Sequence, residues 1–216
     1  MPTSVLAGEK VIGPIVETKA FEQLGIFVLD GSPSMQQEGE TGQAKHLEVD
    51  QAMRGVTSRL KVSRIKQNIN LAAMSYSDDV QTDRLVPTPV TAIDETGNFD
   101  PLHPNGSGTA IGDALAAAFD KAKQFLAQTS RVPRSVVIVL MTDGQNNMGR
   151  DPIKVADEIK ASGLRISICA AGYGKSGDID EMTLKKLVSD ASGYSRVYDA
   201  EQLRKFFERS VSSVVV

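Results

Sequence analysis

Apolar residues fall along this chain in short runs with two different periods, and the alternation of those periods predicts an architecture. Leu24-Gly25-Ile26-Phe27-Val28-Leu29 and Ser135-Val136-Val137-Ile138-Val139-Leu140-Met141 are near-continuous apolar runs of strand length. Runs of that kind read as strands buried on both faces. From about Ala44 to Lys61 the spacing changes, and Val49, Ala52, Met53, Val56 and Leu60 recur at helical intervals as one buried stripe. The stretch from Ala110 to Gln128 repeats this pattern, with Ile111, Leu115, Ala118, Phe119, Ala122 and Leu126 along one face.

The remaining segments complete the alternation. Ile69 to Tyr76 and Val80 to Val86 read as strands joined only by Ser77-Asp78-Asp79. So short a connection cannot hold a crossover helix, so the two strands pair antiparallel at a sheet edge. Asp151-Pro152, a capping residue before a proline at the first helical position, opens a helix from Ile153 to Ser162. A strand from Leu164 to Ala171, a helix from Asp180 to Ala191, a short strand from Tyr194 to Tyr198 and a helix from Ala200 to Ser213 follow. The expected fold is therefore α/β: a doubly wound, mainly parallel six-stranded sheet with one antiparallel edge strand and helices on both faces. Residues 1–20 form an extension, 21–213 the domain and 214–216 a short tail. The proline-rich stretch from Pro87 to Gly108 reads as surface loop.

Composition narrows the classes of partner. A chain of 216 residues can bury a substantial core as one domain. Its net charge of −3 and lack of a basic tract remove the electrostatic footprint of a nucleic-acid binder. No apolar stretch is long enough to span a bilayer. Met1 to Ala7 lack the charged start and apolar core of a signal peptide, so a cytoplasmic location is expected. The single cysteine, Cys169, lies in the apolar run Ile166 to Ala171 and reads as a small buried hydrophobe.

Chemistry concentrates where strands end. Asp30-Gly31-Ser32-Pro33-Ser34 follows the first strand directly and holds a carboxylate and two hydroxyls on one tight loop. Hard oxygen donors of this kind suit Mg²⁺, Mn²⁺ or Ca²⁺. Open parallel sheets bind ligands beyond the carboxyl ends of their strands, so the rest of such a site belongs at other element ends. Thr142-Asp143-Gly144 after the strand ending at Met141, and Thr109 in the glycine-rich loop Asn105 to Thr109 before a helix, both qualify. Taken singly, each has a plainer reading: a self-satisfied serine turn, a helix N-cap at Thr109, and an ordinary Asp-Gly turn.

Asp-x-Ser-x-Ser after the first strand, a lone threonine before a helix, and Thr-Asp-Gly after a β-branched strand together resemble the von Willebrand factor A domain. The resemblance runs from about Leu24 to Val211, and by analogy it is to the bacterial intracellular members, either the tellurite-resistance-associated type or those working beside MoxR-type ATPases. It implies a metal-ion-dependent adhesion site. Ser32 and Ser34 would bind the metal directly, Thr109 directly or through water, and Asp30 and Asp143 mostly through water. It further implies a protein partner whose Asp or Glu carboxylate completes the coordination of Mg²⁺, or of Mn²⁺ or Ca²⁺. A scaffold role, with the metal merely tying loops together, is the alternative.

Two other motifs compete. Gly172-Tyr173-Gly174-Lys175-Ser176-Gly177 follows a strand and precedes a helix, as a dinucleotide-binding fingerprint does. Too little chain follows to complete a nucleotide-binding half, so a tight turn with Lys175 as a solvated charge is expected. Ser32 or Ser34 as a nucleophile would need an activating base. The only histidines, His46 and His103, lie in polar surroundings and read as surface residues, so no catalysis is expected.

Overall fold

The computed structural model describes residues 19–174 and 179–212. Most of the extension, the tail beyond Ser212, and Lys175, on which the glycine-loop expectation rests, lie outside the described residues. Six strands form one sheet: β1 (Glu22–Asp30), β2 (Ile69–Tyr76), β3 (Val80–Pro89), β4 (Arg134–Thr142), β5 (Ile166–Tyr173) and β6 (Tyr194–Val197). Their spatial order is β3-β2-β1-β4-β5-β6, and every pairing is parallel except β2 with β3. The short Ser77-Asp78-Asp79 connection thus makes the antiparallel edge that its length demands.

Among the described residues, five α-helices cover the sheet: α1 (Lys45–Lys61), α2 (Ile111–Ala127), α3 (Pro152–Ala161), α4 (Glu181–Leu187) and α5 (Ala200–Ser212). Side chains alternate along β1, so Leu24, Ile26 and Val28 enter one core with α2, α3 and α4. Phe27 and Leu29 enter the other with α1 and α5. Phe27 meets Phe207 of α5 with ring centroids 4.8 Å apart. Asp151 caps α3 by accepting from Ile153 N at 2.9 Å, with Pro152 in the first turn. Cys169 is half-buried against the second core.

Several boundaries differ from the pattern-based expectation. β3 continues to Pro89, a single 3₁₀ turn follows at Val90–Ala92, and Val90, Ile93, Phe99 and His103 are buried. The stretch from Pro87 to Gly108 is therefore a packed strap, because Val90, Ile93 and Phe99 enter the second core and Leu102 packs against it. α4 stops at Leu187, before a 3₁₀ turn at Ala191–Gly193. β5 starts at Ile166, leaving Leu164 exposed. Along α2, Phe119 and Leu126 are only partly buried, while Phe125 is buried.

Candidate metal centre

The sheet reverses direction of winding between β1 and β4, which lie side by side although they are separated by two strands and two helices in the chain. Such a switch point opens a crevice at the carboxyl ends of the strands. Asp30 ends β1 and Thr142 ends β4. The pairing of Leu29 with Met141 makes these two terminal residues neighbours, with side chains on the same face. Thr142 Oγ1 donates to Asp30 Oδ2 at 2.6 Å.

Beyond Asp30 the chain turns tightly. Ser32 N donates to Asp30 Oδ1 at 2.9 Å, and Met35 N donates to Ser32 O at 3.0 Å. Buried Met35 pins the 3₁₀ turn Pro33–Gln36 into the second core. Gly31 is required here, since a Cβ would collide with the carbonyl oxygen of Pro101. Ser34 Oγ donates to Asp143 Oδ1 at 2.7 Å, and Ser32 Oγ lies 3.0 Å from Ser34 Oγ. A hydroxyl has one proton to donate, so the chain of donation runs from Ser32 to Ser34 to Asp143.

These four residues are less exposed than a rim position implies. Asp30, Ser32 and Asp143 are buried and Ser34 is half-buried. Burial, and next the nearby charge of Asp143, raise the Asp30 carboxyl from the ordinary 3.8 to about 6. Burial and the same two carboxylates hold the Tyr76 phenol well above its usual range, and its hydroxyl donates to Met141 O at 3.2 Å.

Thr109 comes to the same end of the sheet by a different route. Its N–H donates to Asn147 Oδ1 at 2.8 Å, and Asn147 N donates to Thr109 O at 3.1 Å. Ala110 N donates to Ser77 O at 2.8 Å, and Ser77 Oγ to Gly108 O at 2.8 Å. The N-cap of α2 is Ala110, with no side-chain cap, so the plainer reading of Thr109 as a capping residue fails. Its hydroxyl makes no hydrogen bond among the described residues. Asn147 was not singled out by sequence pattern, though an Asn pair after Thr-Asp-Gly is a signal for side chains that bind loop backbone.

Two further residues were not anticipated. Lys45, the first residue of α1, places Nζ 2.7 Å from Asp143 Oδ2 with only 10% of its side chain exposed. Removing one partner of a buried pair costs about 3–5 kcal/mol. His103 is not the surface residue expected: it is buried between Ser75 and Asp79. Nε2 lies 2.8 Å from Ser75 Oγ and Nδ1 2.8 Å from Asp79 Oδ1. His103 N also donates to Gly31 O at 2.9 Å, which ties the strap to the back of the Asp30 loop. The row Asp79, His103, Ser75 looks like a hydrolytic triad. Ser75, however, is fully buried and also accepts from Arg84 Nε at 3.0 Å. His46 is half-buried, 3.0 Å from Asp100 Oδ1.

Hydrogen bonds link Asp30, Ser32, Ser34 and Asp143, and Thr109 lies on a neighbouring loop at the same end of the sheet; all five side chains offer hard oxygens, a chemistry that fits Mg²⁺, Mn²⁺ or Ca²⁺. The ammonium already seated on Asp143 marks the site as one that draws positive charge. Among the described residues, no cluster of three or more His, Cys, Asp or Glu is arranged to hold a metal.

A doubly wound α/β domain with an oxygen-lined crevice at its switch point is the class that fold and site define. The chain belongs to the von Willebrand factor type A domain family, whose profile matches residues 26–209. Among solved structures, it is similar to proximal thread matrix protein 1 from the mussel byssus, with a zinc-occupied MIDAS motif (17% identity, TM-score 0.67, 89% of this chain and 48% of that one). It is also similar to the pilus adhesin SpaC of Lactobacillus rhamnosus GG (12% identity, TM-score 0.68, 93% and 31%). A third is an aerotolerance-related membrane protein from Bacteroides fragilis, carrying multiple mutations to serines (17% identity, TM-score 0.59, 89% and 100%). The chain thus spans about half of the mussel protein and under a third of the adhesin. Among the described residues, no helix is long and apolar enough to cross a membrane.

Proposed function

We propose that this domain is a metal-dependent protein-docking module. Ser32 and Ser34 would hold a divalent cation directly, Thr109 directly or through water, and Asp30 and Asp143 mostly through water. Mg²⁺ is the cation proposed, with Mn²⁺ or Ca²⁺ as substitutes. When bound, the cation would present an open coordination position to an Asp or Glu carboxylate of a partner protein. The observation that carries this reading is the chain of hydroxyls from Ser32 through Ser34 onto Asp143, at the switch point where Asp30 also ends. Family membership supports it, as does the metal-occupied motif of the mussel protein.

The hydrogen bonds described above already join the three loops, through Asn147, Lys45 and His103. A metal is not needed to tie them, which favours docking over the scaffold role. Binding without catalysis is part of the proposal, because among the described residues the one serine with a histidine partner, Ser75, is buried. So are a cytoplasmic location and kinship with the tellurite-resistance-associated type. The test is calorimetric titration with Mg²⁺, followed by partner pull-down with and without chelator. Micromolar-to-millimolar binding and chelator-sensitive capture are expected. No Mg²⁺ binding, or capture indifferent to chelator, overturns the reading.

A further inference from the structure

We infer that Lys45 is a built-in counter-cation, which closes the site when no metal is bound and competes with a divalent ion for Asp143. The inference rests on the docking reading above. Both oxygens of Asp143 are engaged, Oδ1 by Ser34 and Oδ2 by the Lys45 ammonium. Both oxygens of Asp30 are also engaged, but by neutral donors, Ser32 N and Thr142 Oγ1. Among the described residues, Lys45 is therefore the cation bound to the carboxylate pair.

Its place is set by backbone. An isolated bridge between Glu38 and Ala44, with Lys45 N donating to Gln37 O at 3.0 Å, folds the chain back beside the Asp30 loop before α1 begins. The first turn of a helix is the end that disfavours a cation, because the helix dipole is positive there. Asp143 and not the helix accounts for the ammonium being buried at that position. Two carboxylates and one ammonium leave one negative charge, so a dication entering beside Lys45 would overshoot neutrality. Removing the ammonium from the pair lets the dication balance it. Metal entry and departure of Lys45 from Asp143 are thus one coupled event, and partner docking inherits that coupling.

Calorimetry with Mg²⁺ on wild type and on Lys45→Met, which keeps most of the side-chain length without the charge, tests this. Lys45→Met is expected to bind roughly tenfold tighter. Its metal-free form should melt below wild type, with saturating Mg²⁺ closing the gap. Asp30→Asn serves as the site control. If wild type and Lys45→Met bind equally while Asp30→Asn does not bind, the Lys45 inference fails and the metal site stands. If neither wild type nor Lys45→Met binds, both fail. A second measurement needs no variant: amine acylation of the wild-type protein, read at Lys45 by mass spectrometry. Labelling should be slow without metal and several-fold faster at saturating Mg²⁺, and a rate that Mg²⁺ leaves unchanged overturns the inference.

Discussion

Ser34 Oγ donates to Asp143 Oδ1 at 2.7 Å across a sequence separation of 109 residues. The bond joins the loop after β1 to the loop after β4, and it exists because those strands are neighbours in the sheet. Ser32 attaches at its Ser34 end and Lys45 at its Asp143 end, and Asp30 holds the backbone N–H of Ser32, so a change at any of them reaches both loops.

Asp30→Asn is expected to remove Mg²⁺ binding and stabilise the metal-free protein. A carboxyl whose folded pKa lies above its unfolded value binds more protons folded than unfolded. Its favourable contribution is complete below the ordinary 3.8 and is lost as pH rises through about 6. Asparagine keeps an acceptor for Ser32 N, offers a donor to Thr142, and carries no charge. Relative to wild type, it should gain on the order of 2 kcal/mol by neutral pH and almost nothing in acid. Chemical denaturation in chelator across that pH range measures the difference, and parallel curves would count against it.

Thr109→Ala should weaken partner capture more than Mg²⁺ affinity. The Thr109 backbone is held by Asn147 whichever side chain it carries, and Ser32 and Ser34 keep their positions without it. Stability should fall by about 1 kcal/mol or less, since a buried methyl is lost but no hydrogen bond of the hydroxyl is broken. Paired calorimetry and pull-down read the two effects, and equal losses would indicate a rigid site.

His103→Ala should lower stability by about 1–3 kcal/mol, the cost of stranding buried polar partners. Ser75 and Asp79 both lose the imidazole that joins them, while the backbone bond from His103 N to Gly31 O survives. Hydrolysis of an activated ester should stay at background in both proteins. Wild-type turnover that the substitution abolishes would promote the Asp79, His103, Ser75 row from a structural clamp to a reactive one.

Much of this protein is legible in its residues. The two-faced strands, the stripe on α1, the cap at Asp151 and the antiparallel edge at Ser77 to Asp79 follow from periodicity and connection length, which are local properties. Asp30, Ser32, Ser34, Thr109 and Asp143 could be singled out because they follow strands or precede a helix, where chains carry ligands. What tertiary structure alone decided is who meets whom. Strand order put β1 against β4 and so joined Ser34 to Asp143. Packing turned the proline-rich strap inward and buried His103, although its sequence reads as loop. Lys45 and Asp143 lie 98 positions apart, and nothing in the charge pattern of α1 singles out that lysine. Electrostatic partners of this kind are set by distances in space, and spacing along the chain does not encode them.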